Sequence, residues 1–461
     1  MFEDSIYIQR RNRLRKDVGA GIILLLGNDE SPMNYEANPY PFRQDSSFLY
    51  FFGINRPGLI ACIDTEQGTD IVFGNDYTVE DFIWMGKQLT IAEEAALAGV
   101  QRTAGIEALY QLIKAALKGG RKVHFLPPYR PENLIKLHNL LGISLNQIKE
   151  SASVALIKAV VVQRSIKSEE EISEIEKAVN ISVDMHVAAI KMTHPGIKEV
   201  EIAAETERIA LAAGGRSSFP VIATVNGETL HNHYHGNMLE AGDLFLLDCG
   251  AESAMGYAGD LSSTFPVSLS YTNRQKEIYQ VVLNAHRAAV RALRPGVRFD
   301  EIHRIACFNI AAGLKDLGLM INDTNEAVHA GVHALFFPCG TGHMMGLDVH
   351  DMEDLGEVYV GYEGKPKSTQ FGLKSLRLAR ELQPGFVLTI EPGVYFIDEL
   401  IDLWDQKGKF KEFLNYERIR EYKGFGGIRN EEDYLITPDG YRLLGKPKPM
   451  EIEELENMRK H

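Results

Sequence analysis

Cysteine is scarce in this chain of 461 residues, and its four copies, Cys62, Cys249, Cys307 and Cys339, show no paired spacing. That argues against a disulfide framework and leads us to expect reduced thiols in a cytoplasmic protein. Long apolar runs are missing too. Segments such as Ile22–Leu26 fall far short of the roughly 20 residues a membrane helix needs. The opening residues MFEDSIYIQRRNRLRK carry no apolar stretch or cleavage site after their basic residues, so neither a secretory signal nor a membrane partner is expected. Positive charge is in deficit. Lys and Arg number 49 against 63 Asp and Glu, a net charge of −14 that argues against a nucleic-acid partner. The one basic cluster, at 10–16, reads as the solvated face of a first helix.

What is present is a length that suggests two domains. Residues 1–157 alternate short apolar runs (21–26, 48–52, 59–63, 71–73, 123–126) with helical patterns such as 111–117, which suggests an α/β domain. Pro41-Phe42-Arg43-Gln44-Asp45 and Asp81-Phe82-Ile83-Trp84 are its most distinctive words, and both are expected in core or interface. Residues 158–461 read differently. Ser168 with Glu171 and Thr272 with Gln275 have the spacing of capping boxes, and further helices end at Gly214-Gly215 and Gly318. Two helix pairs around strands, without strict alternation, suggest an α+β domain.

Within that domain the stretch 231–266 is unusual. Leu244-Phe245-Leu246-Leu247 is apolar throughout, as suits a strand covered on both faces, and it runs straight into Asp248-Cys249-Gly250. Asp260, twelve residues on, opens a second strand-like run at 261–267. Glu391 ends Val387-Leu388-Thr389-Ile390 and is followed by Pro392-Gly393, the same pattern of apolar strand, acid and glycine turn. Glu431 precedes Tyr434-Leu435-Ile436, and His343 stands in Gly340-Thr341-Gly342-His343. A buried ionised carboxylate is costly unless paired or metal-bound. Four acids and one imidazole make an oxygen-rich set suited to two divalent cations, manganese first, with cobalt or zinc as alternatives.

These words resemble the metallopeptidases of the pita-bread fold, in particular the Xaa-Pro peptidases, prolidase and aminopeptidase P. The matching residues are Leu230-His231, Asp248-Cys249-Gly250, Gly256-Tyr257-Ala258-Gly259-Asp260, Gly342-His343, Gly346-Leu347-Asp348-Val349-His350-Asp351, Thr389-Ile390-Glu391-Pro392-Gly393 and Gly427-Ile428-Arg429 with Glu431. Phe42-Arg43-Gln44-Asp45 through Gly53 is similar to the N-terminal domain of the same enzymes. The resemblance implies a creatinase-like N-terminal domain over 1–157 and a catalytic domain over 158–461. It implies Asp248 on one metal, Asp260 and Glu431 bridging both, and His343 and Glu391 completing the second. A hydroxide shared by the metals would be the nucleophile, with Glu391 as proton acceptor. His231 would stabilise the oxyanion and His350 would contact substrate. Arg429 would orient the neighbouring Glu431.

Three departures stand out. Cys339 occupies the place of a usual pocket histidine, the Asp248–Asp260 interval is one residue longer than usual, and Asn430 replaces an aliphatic residue. The segment Gly372-Leu373-Lys374-Ser375-Leu376-Arg377 and the insert between Glu391 and Glu431 look like prolidase. Arg377 would then hold the free carboxylate of a dipeptide with proline second. The expectation is an Xaa-Pro dipeptidase forming a homodimer. The alternatives are an aminopeptidase P acting on longer peptides and, more remotely, a metal-free binding module of the same fold.

Overall fold

The computed structural model describes residues 1–460; residue 461, the end of the expected second domain, lies outside the described residues. The chain forms two compact units, one of Met1–Arg164 with Met352–Tyr359, the other of Ser165–Asp351 with the chain from Val360 onward.

In the first unit, strands β1 (Ile22–Leu26), β2 (Ile60–Asp64), β3 (Thr69–Phe73), β4 (Arg102–Ala104) and β5 (Val123–Phe125) form one mixed sheet in the order β4-β3-β2-β1-β5. β1 and β2 are buried along nearly their whole length because apolar side chains leave both faces. Two expectations fail in this unit. The aromatic run 48–52, read as a strand, is the end of a helix, Ser46–Phe52. Asp45 accepts from the Phe48 N–H at its start, and Gly53 closes it at φ 64° in the left-handed region, so end signals outweigh the strand preference of aromatics. The basic cluster is not a solvated face, since Arg10 and Arg11 are buried. Arg11 donates to Asp70 Oδ2 and to the Phe51 and Ala98 carbonyls, each at 2.8 Å, so its guanidinium is fully partnered within the fold. Of Asp81-Phe82-Ile83-Trp84, expected in core or interface, Ile83 and Trp84 are 75% and 82% exposed and so lie outside the core.

The second unit is α+β. Its helices Glu169–Met192 and Glu199–Ala212 pack as one pair and Asn273–Ala292 with Phe299–Asp316 as another. The Ser168/Glu171 and Thr272/Gln275 capping boxes both form. The remaining strands, in chain order, are β6 (Arg216–Ser217), β7 (Ile222–Thr224), β8 (Leu244–Cys249), β9 (Ala251–Glu252), β10 (Leu261–Pro266), β11 (Val387–Ile390), β12 (Gly393–Tyr395), β13 (Gly427–Arg429), β14 (Glu432–Thr437) and β15 (Gly440–Leu443). They pair as β10-β8-β7, β11-β14-β15, β12-β13 and β6-β9.

β8 and β10 are buried at every residue, which is why β8 shows no alternation of polarity. Phe245 and Phe265 face one another across them, ring centroids 5.6 Å apart, each burial contributing roughly 1.5–3 kcal/mol. The insert between Glu391 and Glu431 carries two short helices, Asp398–Gln406 and Tyr416–Arg420. Trp404 and Tyr416 bury these helices against the core.

Candidate metal centre

Strand register brings the acids together. In the antiparallel β8–β10 pair, Asp248 lies opposite Ser262, with Ile222 of β7 on its other side. Asp260 stands immediately before β10, after a turn in which Gly256 N–H donates to the Ser253 carbonyl at 2.8 Å. In the β11–β14 pair Ile390 lies opposite Glu432, which sets Glu391 and Glu431 across from each other where the ladder ends. The segment carrying His343 runs alongside β11: Thr389 N–H donates to the His343 carbonyl at 3.0 Å and Glu391 N–H to that of Thr341 at 2.8 Å. Gly342 is required here, since a Cβ would stand 2.0 Å from the Thr389 carbonyl oxygen. Glu431 N–H donates to the Ser262 carbonyl at 3.1 Å and joins the two ladders.

Asp260, His343 and Glu431 each offer a ligand atom within 4.8 Å of the others. His343 Nε2 is 3.3 Å from Asp260 Oδ2 and 3.7 Å from Glu391 Oε1. Its Nδ1 bonds the Met344 carbonyl at 3.0 Å, the arrangement that leaves Nε2 to face the acids as a ligand. Asp248 is held by Arg429 Nη2 at 2.5 Å.

Four carboxylates and one guanidinium leave the charge unbalanced. Burial first, then Asp248, raises Asp260 to about 8. Burial likewise lifts Glu391 to about 7 against the pull of His343 and Arg429, and Glu431 goes well above the carboxylate range. Asp248 Oδ1 and Asp260 Oδ1 are buried without a hydrogen-bond partner. A buried acid with an idle oxygen and no proton donor is what a cation relieves, and the donor set of oxygens with one imidazole fits hard or borderline divalent ions.

All eight side chains singled out by the sequence line one cavity of about 450 Å³: Asp248, Asp260, His343, Glu391, Glu431, His231, His350 and Arg377. The His350 ring meets that of His343 edge-on, centroids 4.3 Å apart. His231 is at the exposed margin, its pKa lowered by partial burial and by Arg429. Cys339 lines the same wall, its thiol pushed up to about 12 by burial and by Glu391.

The sequence reading paired Arg429 with Glu431, whereas the guanidinium reaches Asp248, Ser262 Oγ (2.9 Å) and Tyr395 Oη (2.9 Å). Ser262 Oγ in turn donates to Glu431 at 2.7 Å, so the effect on Glu431 is relayed. The roles of Ser262, Tyr395 and Asp433, whose Oδ2 accepts the Asp260 N–H at 3.0 Å, were missed. Three successive acids at 431–433 entering a buried strand were the available signal for the last.

An acid-lined cleft built on two antiparallel ladders, with room for divalent ions and a small ligand, defines a metallopeptidase class of site, and the comparisons agree. Residues 173–438 match the model of metallopeptidase family M24, and residues 7–124 that of the aminopeptidase P N-terminal domain. The chain belongs to family M24, whose members bind divalent metals, and has the pita-bread catalytic fold behind an aminopeptidase P-type N-terminal domain. It is 32% identical to the Xaa-Pro dipeptidase of Homo sapiens, over 96% of this chain and 90% of that one. It is 30% identical to the Xaa-Pro aminopeptidase of Escherichia coli (strain K12), over 97% and 96%. Zinc-substituted Escherichia coli aminopeptidase P in complex with product superposes with a TM-score of 0.81 at 27% identity, covering 100% of this chain and 98% of that one.

Proposed function

We propose that the protein is a two-metal Xaa-Pro peptidase that cleaves the bond before proline, with dipeptides as its preferred substrates. The observation that carries the reading is the opposition of charges in one cavity, four acids and His343 together with Arg377. A guanidinium in a cavity of about 450 Å³ suits a substrate whose free carboxylate lies one residue from the scissile bond.

Asp248, Asp260, His343, Glu391 and Glu431 would hold the ions, manganese being the first candidate. When bound, the ions supply a nucleophile from water at neutral pH and polarise the scissile carbonyl. Glu391 accepts the proton released in the attack and delivers it to the departing imino nitrogen. His231 donates to the carbonyl oxygen as it gains charge. His350, packed on His343, contacts the substrate beside the scissile bond, and Arg377 anchors the carboxylate. Arg429 fixes Asp248 and, through Ser262, Glu431, so that both keep their aim.

The reading as an aminopeptidase P is supported by the superposition over the whole chain. Hydrolysis of Ala-Pro compared with Ala-Pro-Yaa peptides separates the two. Rates confined to the dipeptide support our proposal, and faster cleavage of the longer peptide overturns it.

A further inference from the structure

Behind the Thr341 segment lies a second cluster that the peptidase chemistry does not use. His303 and Cys307 stand four residues apart on the helix Phe299–Asp316, on one face of it, and His333 comes from the short turn Val332–Leu335. All three are essentially inaccessible to solvent. Their ligand atoms lie within 4.8 Å of one another, with Cys307 Sγ 3.4 Å from His303 Nε2. In tetrahedral zinc sites, bonds of about 2.0–2.3 Å put neighbouring N and S atoms roughly 3.3–3.6 Å apart, so one edge is already at the required length.

Two further observations point to a ligand. Neither ring nitrogen of His333 makes a well-formed hydrogen bond, although the residue is 1% exposed. A buried imidazole left idle is unfavourable unless something takes up its lone pair. His303 is oriented as a metal-bound histidine would be, with Nδ1 bonded to Thr341 Oγ1 at 2.8 Å. In the tautomer that donates Nδ1–H to Thr341, Nε2 presents its lone pair towards the sulfur. Burial also keeps both imidazoles neutral, pushing His303 down to about 3 and His333 to about 4, the latter against a backbone interaction with Val328.

We propose that His303, Cys307 and His333 form a separate metal site for a borderline cation of the zinc class, structural and not catalytic. Binding displaces the thiol proton to solvent and leaves Cys307 as a thiolate ligand. Two nitrogens and a sulfur select zinc or cobalt over manganese, the reverse of the carboxylate centre's oxygen-rich preference. The ion would tie the helix Phe299–Asp316 to the turn carrying His333. Through Thr341, which holds the Glu391 N–H, it would stiffen the wall that carries Glu391 and His343. With no solvent access, it is taken up as the chain folds.

The test is to produce the whole protein with Co²⁺ as the only added transition metal. The residues that would hold the carboxylate centre's ions carry no sulfur, so a near-ultraviolet thiolate-to-cobalt charge-transfer band points to this cluster, with Cys339 on the carboxylate cavity's wall as the control. We expect that band, its loss in Cys307→Ser and its persistence in Cys339→Ser. The cobalt kept at the oxygen-rich centre of Cys307→Ser shows that the variant has folded. His333→Gln should lose roughly one equivalent of metal per chain by mass spectrometry. A cobalt protein without the band, a band that follows Cys339 instead, or a His333→Gln variant with undiminished metal would overturn the proposal. Peptidase activity enters none of these readings.

Discussion

Arg429 Nη2 and Asp248 Oδ2 are 2.5 Å apart, both buried, and the same guanidinium bonds Ser262 and Tyr395. One planar side chain therefore fixes acids from two different ladders. Arg429→Lys keeps the charge but loses the fork. Divalent-metal affinity should fall about 10–100-fold, measured by titrating metal into chelator-treated protein. Unchanged affinity would show that Asp248 and Glu431 need no such support.

The division of labour between Glu391 and Arg377 is separable in kinetics. Glu391→Gln should lower kcat by about 10²–10⁴-fold. Arg377→Ala should chiefly raise KM for a dipeptide, by roughly 10–100-fold for one lost charge-assisted bond. Steady-state measurements on both variants decide it, and parallel losses of kcat would count against the assignment.

Metal removal should change stability in a pH-dependent way. Without ions, Asp260 and Glu391 have folded pKa values near 8 and 7, above those of the unfolded chain. Their contribution to stability is fully present below about pH 4 and is lost as pH rises through 7 to 8. Added divalent metal should therefore raise Tm more at about pH 8 than at about pH 5. Calorimetry of the chelated and reloaded protein checks the sign.

Buried histidines act in the opposite direction. His186 and His286 are each pushed down to about 3, by burial first and then by Lys448. A lowered histidine contributes its stability fully above about pH 6.5, and that contribution is lost as pH falls towards 3. The urea midpoint of the metal-loaded protein should fall from pH 7 to pH 5. His186→Asn, which removes one titrating group, should show a shallower slope.

Gly342 offers a steric test. A methyl group there would press on the Thr389 carbonyl at 2.0 Å, so Gly342→Ala must push the His343 segment off β11. We expect about 1–3 kcal/mol of destabilisation together with weakened metal uptake, read by thermal melts and metal content.

Much of this was legible along the chain because the signals are local. The capping boxes at Ser168 and Thr272 need only residues three apart, and both form. Asp248 and Glu391 could be singled out because a run of apolar residues ending in one acid and a glycine turn is anomalous in any context. The helix Ser46–Phe52 was misread because five consecutive apolar positions, four of them aromatic, satisfy either period, and the cap at Asp45 decided the matter.

The sequence by itself determined the α+β pattern of the second unit and which acids stand at the ends of buried strands, since periodicity and turn chemistry are written in neighbouring residues. Only the tertiary structure decided where long side chains go. Arg11 is buried because two backbone carbonyls and the Asp70 carboxylate converge on it from three separate segments, Arg429 reaches Asp248 in place of Glu431, and His333 meets Cys307. Each of these depends on partners tens to hundreds of positions away, and no local spacing encodes a distance across the fold.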